Sequence, residues 1–282
     1  MNLVNESPLI SVIVPFLNGS DWLIEALESV VSQTYLNWEI IVLDDGSEEK
    51  HSAVAKDYCS RHVERIIYTE HPGHVNKGVT ISRNSAIELS NGTLIAFLDA
   101  DDYWLPDKLA YELTLFKQYP TAEMICEASQ FWYSWNDPLA DDSTILVGVS
   151  PDKLYHPPEL MKSLYPLGEG QPPCPSGIII KREALLRSKG FEPVFSGVYQ
   201  LYEDQAFLSK IYLKEIIFIS GKANNRYRKR TDSVSSAVND KTCYDLVRKF
   251  YLGWLESYLD QEHISDNEIA ALIHSARKNM GI

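Results

Sequence analysis

The chain of 282 residues contains no pair of cysteines at the spacing of a zinc site or a redox motif. Its cysteines are widely scattered, and we expect them to be reduced and largely buried, as in cytosolic proteins. No apolar run reaches the length that a membrane span requires. The N-terminal MNLVNESPLISVIVPF has no basic region of the kind that begins a secretory signal. These absences predict a cytoplasmic location.

Basic residues are also scarce, since 26 Lys and Arg stand against 39 Asp and Glu and give a formal net charge of −13. A phosphate backbone attracts a basic surface, so this balance argues against nucleic acid as a partner. Neither GxGxxG nor GxxxxGK[ST] occurs, which excludes the usual dinucleotide and P-loop motifs. The local exception to the acidity is RYRKR at 226–230.

Apolar, β-rich runs alternate with helical patterns through the first 120 residues. Strands are predicted at 10–16, 38–47, 65–70 and 93–102, and helical patterns follow each of them. Near-continuous apolar strands that alternate with helices are typical of a parallel sheet covered on both faces. The sequence therefore predicts an α/β fold.

Three polar segments follow predicted strands, at the edge where such sheets bind ligands. They are PFLN after the first strand, DDGS after the second and DADD after the fourth. The last one places Asp99, Asp101 and Asp102 within four positions. Three neighbouring carboxylates repel one another unless water, a cation or hydrogen-bond donors compensate them. A solvated turn that leads into a helix and a divalent metal site are both consistent with this pattern.

Five motifs together resemble family 2 glycosyltransferases of the GT-A fold. They are SVIVPFLN, EIIVLDDGS, SRNSAI, GTLIAFLDADDYWLPDKL and YEDQAFLSKI, in that order. The resemblance covers roughly residues 8–230. It implies a mixed, mainly parallel sheet flanked by helices, followed here by a C-terminal helical tail. It also implies inverting transfer of a sugar from a nucleoside-diphosphate sugar to an acceptor hydroxyl, with Mg²⁺ or Mn²⁺ as the cofactor.

The resemblance also implies roles for individual residues. Asp204 is similar to the general base of the family, and Asp101 and Asp99 form its metal-binding DXD motif. Asp102 is expected to shape the turn. The residues expected to bind the nucleotide-sugar are Pro15, Phe16, Leu17, Asn18, Asp45, Arg83, Asp99, Asp101 and Arg228. Leu17 departs from the family pattern, which usually has a tyrosine there that stacks on the base.

Several features keep two interpretations open. Arg83 could face a phosphate or pair with a nearby carboxylate. RYRKR could close over the diphosphate, with Arg228 as the best-placed residue, or form an exposed basic turn. FWYSW at 131–135 is expected to be mostly core, with one aromatic residue in the acceptor cleft.

The chain is predicted to divide into a nucleotide-sugar-binding half (1–110), an acceptor half (111–225), and a basic loop with C-terminal helices (226–282). The acceptor would be a saccharide or a lipid-linked saccharide. The C-terminal helices could pack on the catalytic domain, or dock to a membrane face or a second subunit. A catalytically silent nucleotide-sugar-binding protein is the alternative to the enzyme. A nucleotidyltransferase would need a Gly-rich, basic first loop, and PFLNGSDW does not supply one.

Overall fold

A computed structural model describes residues 7–230 and 241–280. Within them, one sheet of eight strands has the order β3-β2-β1-β4-β10-β6-β11-β9. In that order the strands are Ile66–Glu70, Trp38–Asp44, Ile10–Phe16, Leu94–Phe97, Ile178–Lys181, Met124–Glu127, Ile217–Ser220 and Lys153–Tyr155. The first four strands are parallel, whereas β10 is antiparallel to both of its neighbours. The predicted mixed, mainly parallel sheet is confirmed.

A smaller sheet of four strands has the order β5-β12-β7-β8. These strands are Tyr103–Trp104, Asn225–Arg228, Ser129–Trp132 and Ser143–Ile145. Strands β7 and β12 are parallel, so the FWYSW and RYRKR segments run side by side. The small sheet thereby joins two motifs that are about a hundred residues apart in sequence.

Helices cover both faces of the large sheet because its strands are apolar on both sides. Along β1, Val12 and Val14 pack on one face with the helices Ser20–Val31, Glu49–Ser60 and Lys108–Gln118, while Ile13 packs on the opposite face. This alternation follows from the two-residue period of a strand. The helices are α1 (Ser20–Val31), α2 (Glu49–Ser60), α3 (Val79–Leu89), α4 (Lys108–Gln118), α5 (Glu159–Ser163), α6 (Arg182–Arg187), α7 (Glu203–Tyr212), α8 (Lys241–Gln261) and α9 (Asn267–Asn279).

The fourth predicted strand, 93–102, ends earlier than expected, at Phe97. The Leu98 amide still donates to Ile13 O at 3.1 Å, but the Asp99 amide donates to Ser176 Oγ at 3.1 Å. The chain leaves the sheet at that point, and the Asp102 amide closes a turn onto Asp99 O. The acidic residues therefore lie in a turn beyond the strand.

The C-terminal helices share the main core, which confirms the packing interpretation of this segment. Tyr251 and Leu255 of α8 are fully buried in the same cluster as Ile13 and Phe207. The Tyr251 hydroxyl also lies 2.6 Å from Ser209 Oγ on α7. Helix α8 is thus part of the domain that carries α7.

Truncating Tyr251 tests this packing. We expect Tyr251→Ala to lower the free energy of unfolding by about 3–5 kcal/mol, because it leaves a cavity in the core. Tyr251→Phe keeps the ring and should cost about 1 kcal/mol for the lost hydrogen bond. Urea unfolding measures both values. Equal stability of Tyr251→Ala and the wild type would mean that α8 does not stabilise the domain.

Candidate active site

A cavity of about 930 Å³ opens where β1, β2 and β4 end. The parallel register pairs Phe16 with Asp44, so the PFLN and DDGS segments emerge side by side. Arg228 is the one residue predicted for the site that does not line the cavity. The other predicted residues all do, namely Pro15, Phe16, Leu17, Asn18, Asp45, Arg83, Asp99, Asp101 and Asp204.

Asp45 is buried and held by backbone amides. Its carboxylate accepts hydrogen bonds from the amides of Lys77, at 2.7 Å, and Gly78, at 3.0 Å, just before helix α3. The loop can approach this closely because Gly46 has φ 84° and no Cβ, which would lie 2.6 Å from the Asn76 amide nitrogen. The DDGS turn therefore orients Asp45 rigidly at the wall of the cavity.

In the acidic turn, each carboxylate has its own compensating group. Asp99 pairs with Arg83 at 2.7 Å, and Asp101 pairs with Arg230 at 2.8 Å. Burial and the charge of Asp99 raise the pKa of Asp101. Asp102 lies beneath the turn, where it accepts hydrogen bonds from Ser176 Oγ and from the Arg228 amide. Burial raises the pKa of Asp102 well above its usual range, and its contacts support the expected role in shaping the turn.

Arg83 connects the acidic turn to helix α7. Its guanidinium is buried and pairs with Asp99 and with Glu203, and it lies 5.1 Å from the ring centroid of Phe191. Arg83 thus forms the ion pair with a nearby carboxylate that was one of its two interpretations. Because Glu203 precedes Asp204, Arg83 also sets the position of Asp204 relative to the turn.

Asp204 lines the cavity from the first turn of α7. Its carboxylate accepts hydrogen bonds from the amide and the side chain of Gln205, at 2.7 and 3.3 Å. The N-cap position is held by Tyr202, so Asp204 is not the N-cap. Burial raises the pKa of Asp204 to about 6 and that of Glu203 to about 7. Two carboxyl groups that titrate near neutral pH therefore face one cavity.

Arg228 was expected to close over the diphosphate, and its side chain lies elsewhere. Its guanidinium is sandwiched by Trp132 and Trp135, with ring centroids at 4.5 and 5.1 Å. It also binds Glu25 of α1 at 2.5 Å and the backbone oxygen of Asp101 at 2.7 Å. These contacts bury Arg228 between the small sheet and α1, where it supports the acidic turn from behind.

Arg230, Trp22 and Lys229 also line the cavity, although no sequence pattern singled them out as site residues. Arg230 pairs with Asp101 and stacks on Trp22, with the guanidinium 3.7 Å from the ring centroid. Arg230 and Lys229 belong to the same basic run as Arg228. The basic run therefore lies beside the cavity, but the sequence pattern did not predict which of its side chains line it.

A second acidic cluster lies outside the cavity lining. One ligand atom each of Asp44, Glu70 and His74 falls within 4.8 Å of the others, as in a metal site. Protein groups already satisfy these carboxylates, since Tyr68 donates to Asp44 and Lys56 binds Glu70 at 3.0 Å. We therefore interpret this cluster as a structural network.

Curated relatives and the family model agree on one family. The model described as glycosyl transferase family 2 matches residues 11–186. Glycosyltransferase GlyA of Streptococcus pneumoniae is 29% identical over 84% of this chain and 33% of its own length. The putative teichuronic acid biosynthesis glycosyltransferase TuaG of Bacillus subtilis is 35% identical over 56% of each protein. The chain thus spans a third to about half of these relatives.

Solved structures share the fold at low sequence identity. S. aureus TarS 1–349 in complex with UDP-GlcNAc is 20% identical, with a TM-score of 0.64 over 86% of this chain and 65% of that one. The mannosyltransferase PcManGT from Pyrobaculum calidifontis, in complex with GDP-Man and Mn²⁺, is 17% identical. Its TM-score is 0.62 over 98% of this chain and 70% of that one. This likeness confirms the GT-A fold.

Among the described residues, no helix combines the length and the apolar character that a membrane crossing requires. The match to the family model covers more than half of the chain and includes the strand ends that form the cavity. The chain belongs to glycosyl transferase family 2.

Proposed function

We propose that the chain is an inverting glycosyltransferase that moves a sugar from a nucleoside-diphosphate sugar to an acceptor hydroxyl. The observation that carries this proposal is one cavity lined by Asp45, by the turn with Asp99 and Asp101, and by Asp204. In-line transfer needs a site for the nucleotide, charge compensation for the leaving diphosphate, and a proton acceptor beside the incoming hydroxyl. The cavity offers a residue for each requirement.

We assign the donor to residues 1–110 and the acceptor to 111–225, with the basic run and the C-terminal helices in 226–282. In this assignment Asp45 and the PFLN segment contact the nucleoside. The complexes of TarS with UDP-GlcNAc and of PcManGT with GDP-Man support a nucleotide-sugar donor. Leu17, which is 50% exposed, offers an aliphatic surface for the base where the family usually has an aromatic ring.

A divalent cation fits the acidic turn. Asp101 is about a third exposed, at 32%, and Asp99 is 25% exposed, so both present oxygen atoms, the ligands that Mg²⁺ and Mn²⁺ prefer. The Arg230 guanidinium at Asp101 shows that this carboxylate attracts a cation. When bound, the metal supplies positive charge that neutralises the leaving diphosphate. The Mn²⁺ in the PcManGT complex supports this cofactor.

Asp204 takes the proton of the acceptor hydroxyl in this mechanism. A carboxylate with an ordinary pKa near 4 is a weak base at neutral pH, and burial strengthens it by raising the pKa of Asp204 to about 6. Arg83 forms one ion pair with Glu203, the neighbour of Asp204 in sequence, and a second ion pair with Asp99 of the acidic turn. The ion pairs of Arg83 thereby keep the base and the acidic turn in a constant relative position.

The pH dependence of transfer tests Asp204 directly. The carboxylate accepts a proton only when ionised, so we expect kcat/KM for the acceptor to rise through pH 6 and to level off above it. Well below pH 6 the rate should fall about tenfold per pH unit. Glu203→Gln should keep an acidic limb, whereas a flat profile from pH 5 to 8 would exclude a base of this pKa.

The proposed function is tested by a thermal-shift panel of nucleotide-sugars with and without Mn²⁺, followed by donor hydrolysis. A true donor raises the unfolding midpoint by mass action, and non-binders leave it unchanged. We expect one nucleotide-sugar to bind and to be hydrolysed slowly in a metal-dependent way. Binding without hydrolysis or transfer would support the silent binding protein, an alternative that the departure at Leu17 favours.

The acceptor is proposed to be a saccharide or a lipid-linked saccharide in bacterial polysaccharide or glycoconjugate synthesis. The similarity to TuaG, a putative teichuronic acid biosynthesis glycosyltransferase, supports this setting. We place the acceptor beside Asp204, where the loop 169–175 and Tyr165 also line the cavity.

A further inference from the structure

Among the described residues, three cationic side chains line the cavity, and Lys229 differs from the other two. Arg83 pairs with Asp99 and Glu203, and Arg230 pairs with Asp101. In the described part of the chain, Lys229 Nζ has neither a carboxylate nor a hydrogen-bond partner. It lies instead over the rings of Phe131 and Tyr227, at 4.5 and 5.0 Å from their centroids. Its charge is therefore available to a ligand.

The two rings under Lys229 form a continuous aromatic surface. Phe131 and Tyr227 are direct partners in the parallel register of β7 and β12. Their centroids are 5.3 Å apart with planes tilted by 37°, and both residues line the cavity. The C–H face of a pyranose is apolar and packs on such rings, while a nearby charged group fixes the orientation of the ligand.

The alternation of side chains along β12 separates this surface from the acidic turn. Arg228 and Arg230 point towards helix α1, where they contact Glu25 and Trp22. Tyr227 and Lys229 lie on the opposite side of the strand. Ser129, two residues before Phe131 on β7, lines a small pocket together with residues 171–174, so the loop 169–175 borders this side of the cavity. Lys229 is thus placed on the side of the cavity that this loop borders.

Within the described ranges, the carboxyl groups that line the cavity outnumber its cationic side chains, so the positive charge of Lys229 matters for the binding of an anion. Six carboxyl groups of described residues line the cavity, at Asp45, Asp99, Asp101, Glu169, Glu203 and Asp204, and the other two cations are already paired with some of them. An anionic ligand that enters beside Asp204 is repelled unless a cation compensates it. Of the three cations of the described lining, Lys229 is the one that no carboxylate of the described residues pairs with.

We propose that Phe131, Tyr227 and Lys229 form an acceptor subsite for a sugar that carries an oxyanion. The ammonium group of Lys229 turns from the two rings to the anion, and the ring faces that it leaves pack against the sugar. This inference rests on the proposed function, since it names the class of acceptor for the same site. A uronic acid carboxylate and a sugar phosphate share this chemistry, and the two are separated below.

Saturation-transfer NMR tests the subsite with three probes: methyl β-D-glucuronide, glucose 6-phosphate and the neutral methyl β-D-glucoside. We expect the wild type to bind at least one charged probe about fivefold more tightly than the neutral one. Added salt should reduce this preference. The charged probe that binds better identifies the source of the anion.

Variants test whether Lys229 causes the preference for the charged probe. Lys229→Met should abolish the preference for the charged probe, and Phe131→Leu should weaken all three probes. Lys222→Met is the matched control, because Lys222 also lies over a tyrosine ring, 4.3 Å from the centroid of Tyr111, but outside the cavity lining. Equal affinity of the wild type for charged and neutral probes, or a preference that survives in Lys229→Met, overturns the proposal.

The outcomes distinguish this proposal from the proposed function. If nucleotide-sugars neither bind nor are hydrolysed, the proposed function fails whatever the sugar probes do. If the wild type hydrolyses a donor but binds charged and neutral probes equally, the subsite proposal alone fails. The salt dependence is measured on the wild type, so the test remains valid even if a variant does not fold.

Discussion

Asp204→Asn is expected to bind the nucleotide-sugar almost as well as the wild type and to transfer the sugar about 10²–10⁴-fold more slowly. The substitution keeps the shape of the side chain and removes the proton acceptor. Asp204 lies on α7, and the acidic turn that would hold the diphosphate lies on another segment. Calorimetry of donor binding beside single-turnover transfer measures the two effects separately.

Loss of folding does not explain such a result, because burial raises the pKa of Asp204 to about 6. An acid whose pKa is raised in the folded state opposes folding when it is ionised, so above pH 6 the variant should be at least as stable as the wild type. Glu169→Gln, at another carboxylate of the cavity lining, is the matched control for charge. Normal transfer by Asp204→Asn would move the base elsewhere, with Glu203 as the next candidate.

Asp101→Asn is expected to show the opposite pattern, with donor binding and turnover both severely reduced. The diphosphate loses the carboxylate that would hold its cation, and turnover should fall about 10²–10³-fold, as when one electrostatic stabiliser is removed. Donor affinity should also cease to respond to Mn²⁺. Titration of the donor by calorimetry at several Mn²⁺ concentrations, with turnover in the same buffers, measures this effect.

Asp141→Asn provides a control at an exposed carboxylate outside the cavity lining. Asp102→Asn provides a second comparison, because Asp102 is buried and bound to Ser176 and to the Arg228 amide. It should leave the response to Mn²⁺ in place, because Asp102 lies beneath the turn and does not line the cavity. Near-normal, Mn²⁺-dependent turnover by Asp101→Asn would refute the metal assignment.

Much of the cavity was predictable because its walls are strand ends. Asp45 and Asp99 are far apart in sequence, yet each follows an apolar strand of the same parallel sheet. The carboxyl ends of parallel strands lie at the same edge of a sheet, so the positions of the strands in the sequence predict that such residues lie close together. Asp204 is different, because it begins a helix and no periodicity points to it. Its candidacy came from the resemblance of YEDQAFLSKI to a family motif.

The basic run RYRKR shows a feature that the sequence pattern did not predict, the direction of each side chain. RYRKR indicated a cationic segment near the site, but the direction of each side chain depends on the strand that the run joins. Pairing of β12 with β5 and β7 sends Arg228 between Trp132 and Trp135 and leaves Lys229 over Phe131. Long side chains have many rotamers and several carboxylates within reach, so packing rather than sequence selects the partner.

The α/β class, the positions of the first strands along the chain and the residues at their ends were predictable from the sequence, because strands buried on both faces are continuous apolar runs. Only the folded structure shows that Arg83 spans from Asp99 to Glu203, that α8 belongs to the core, and that Arg230 rather than Arg228 pairs with the Asp101 carboxylate. These are contacts between segments far apart in the chain. Their free energy depends on distances and burial that arise only when the whole domain is folded.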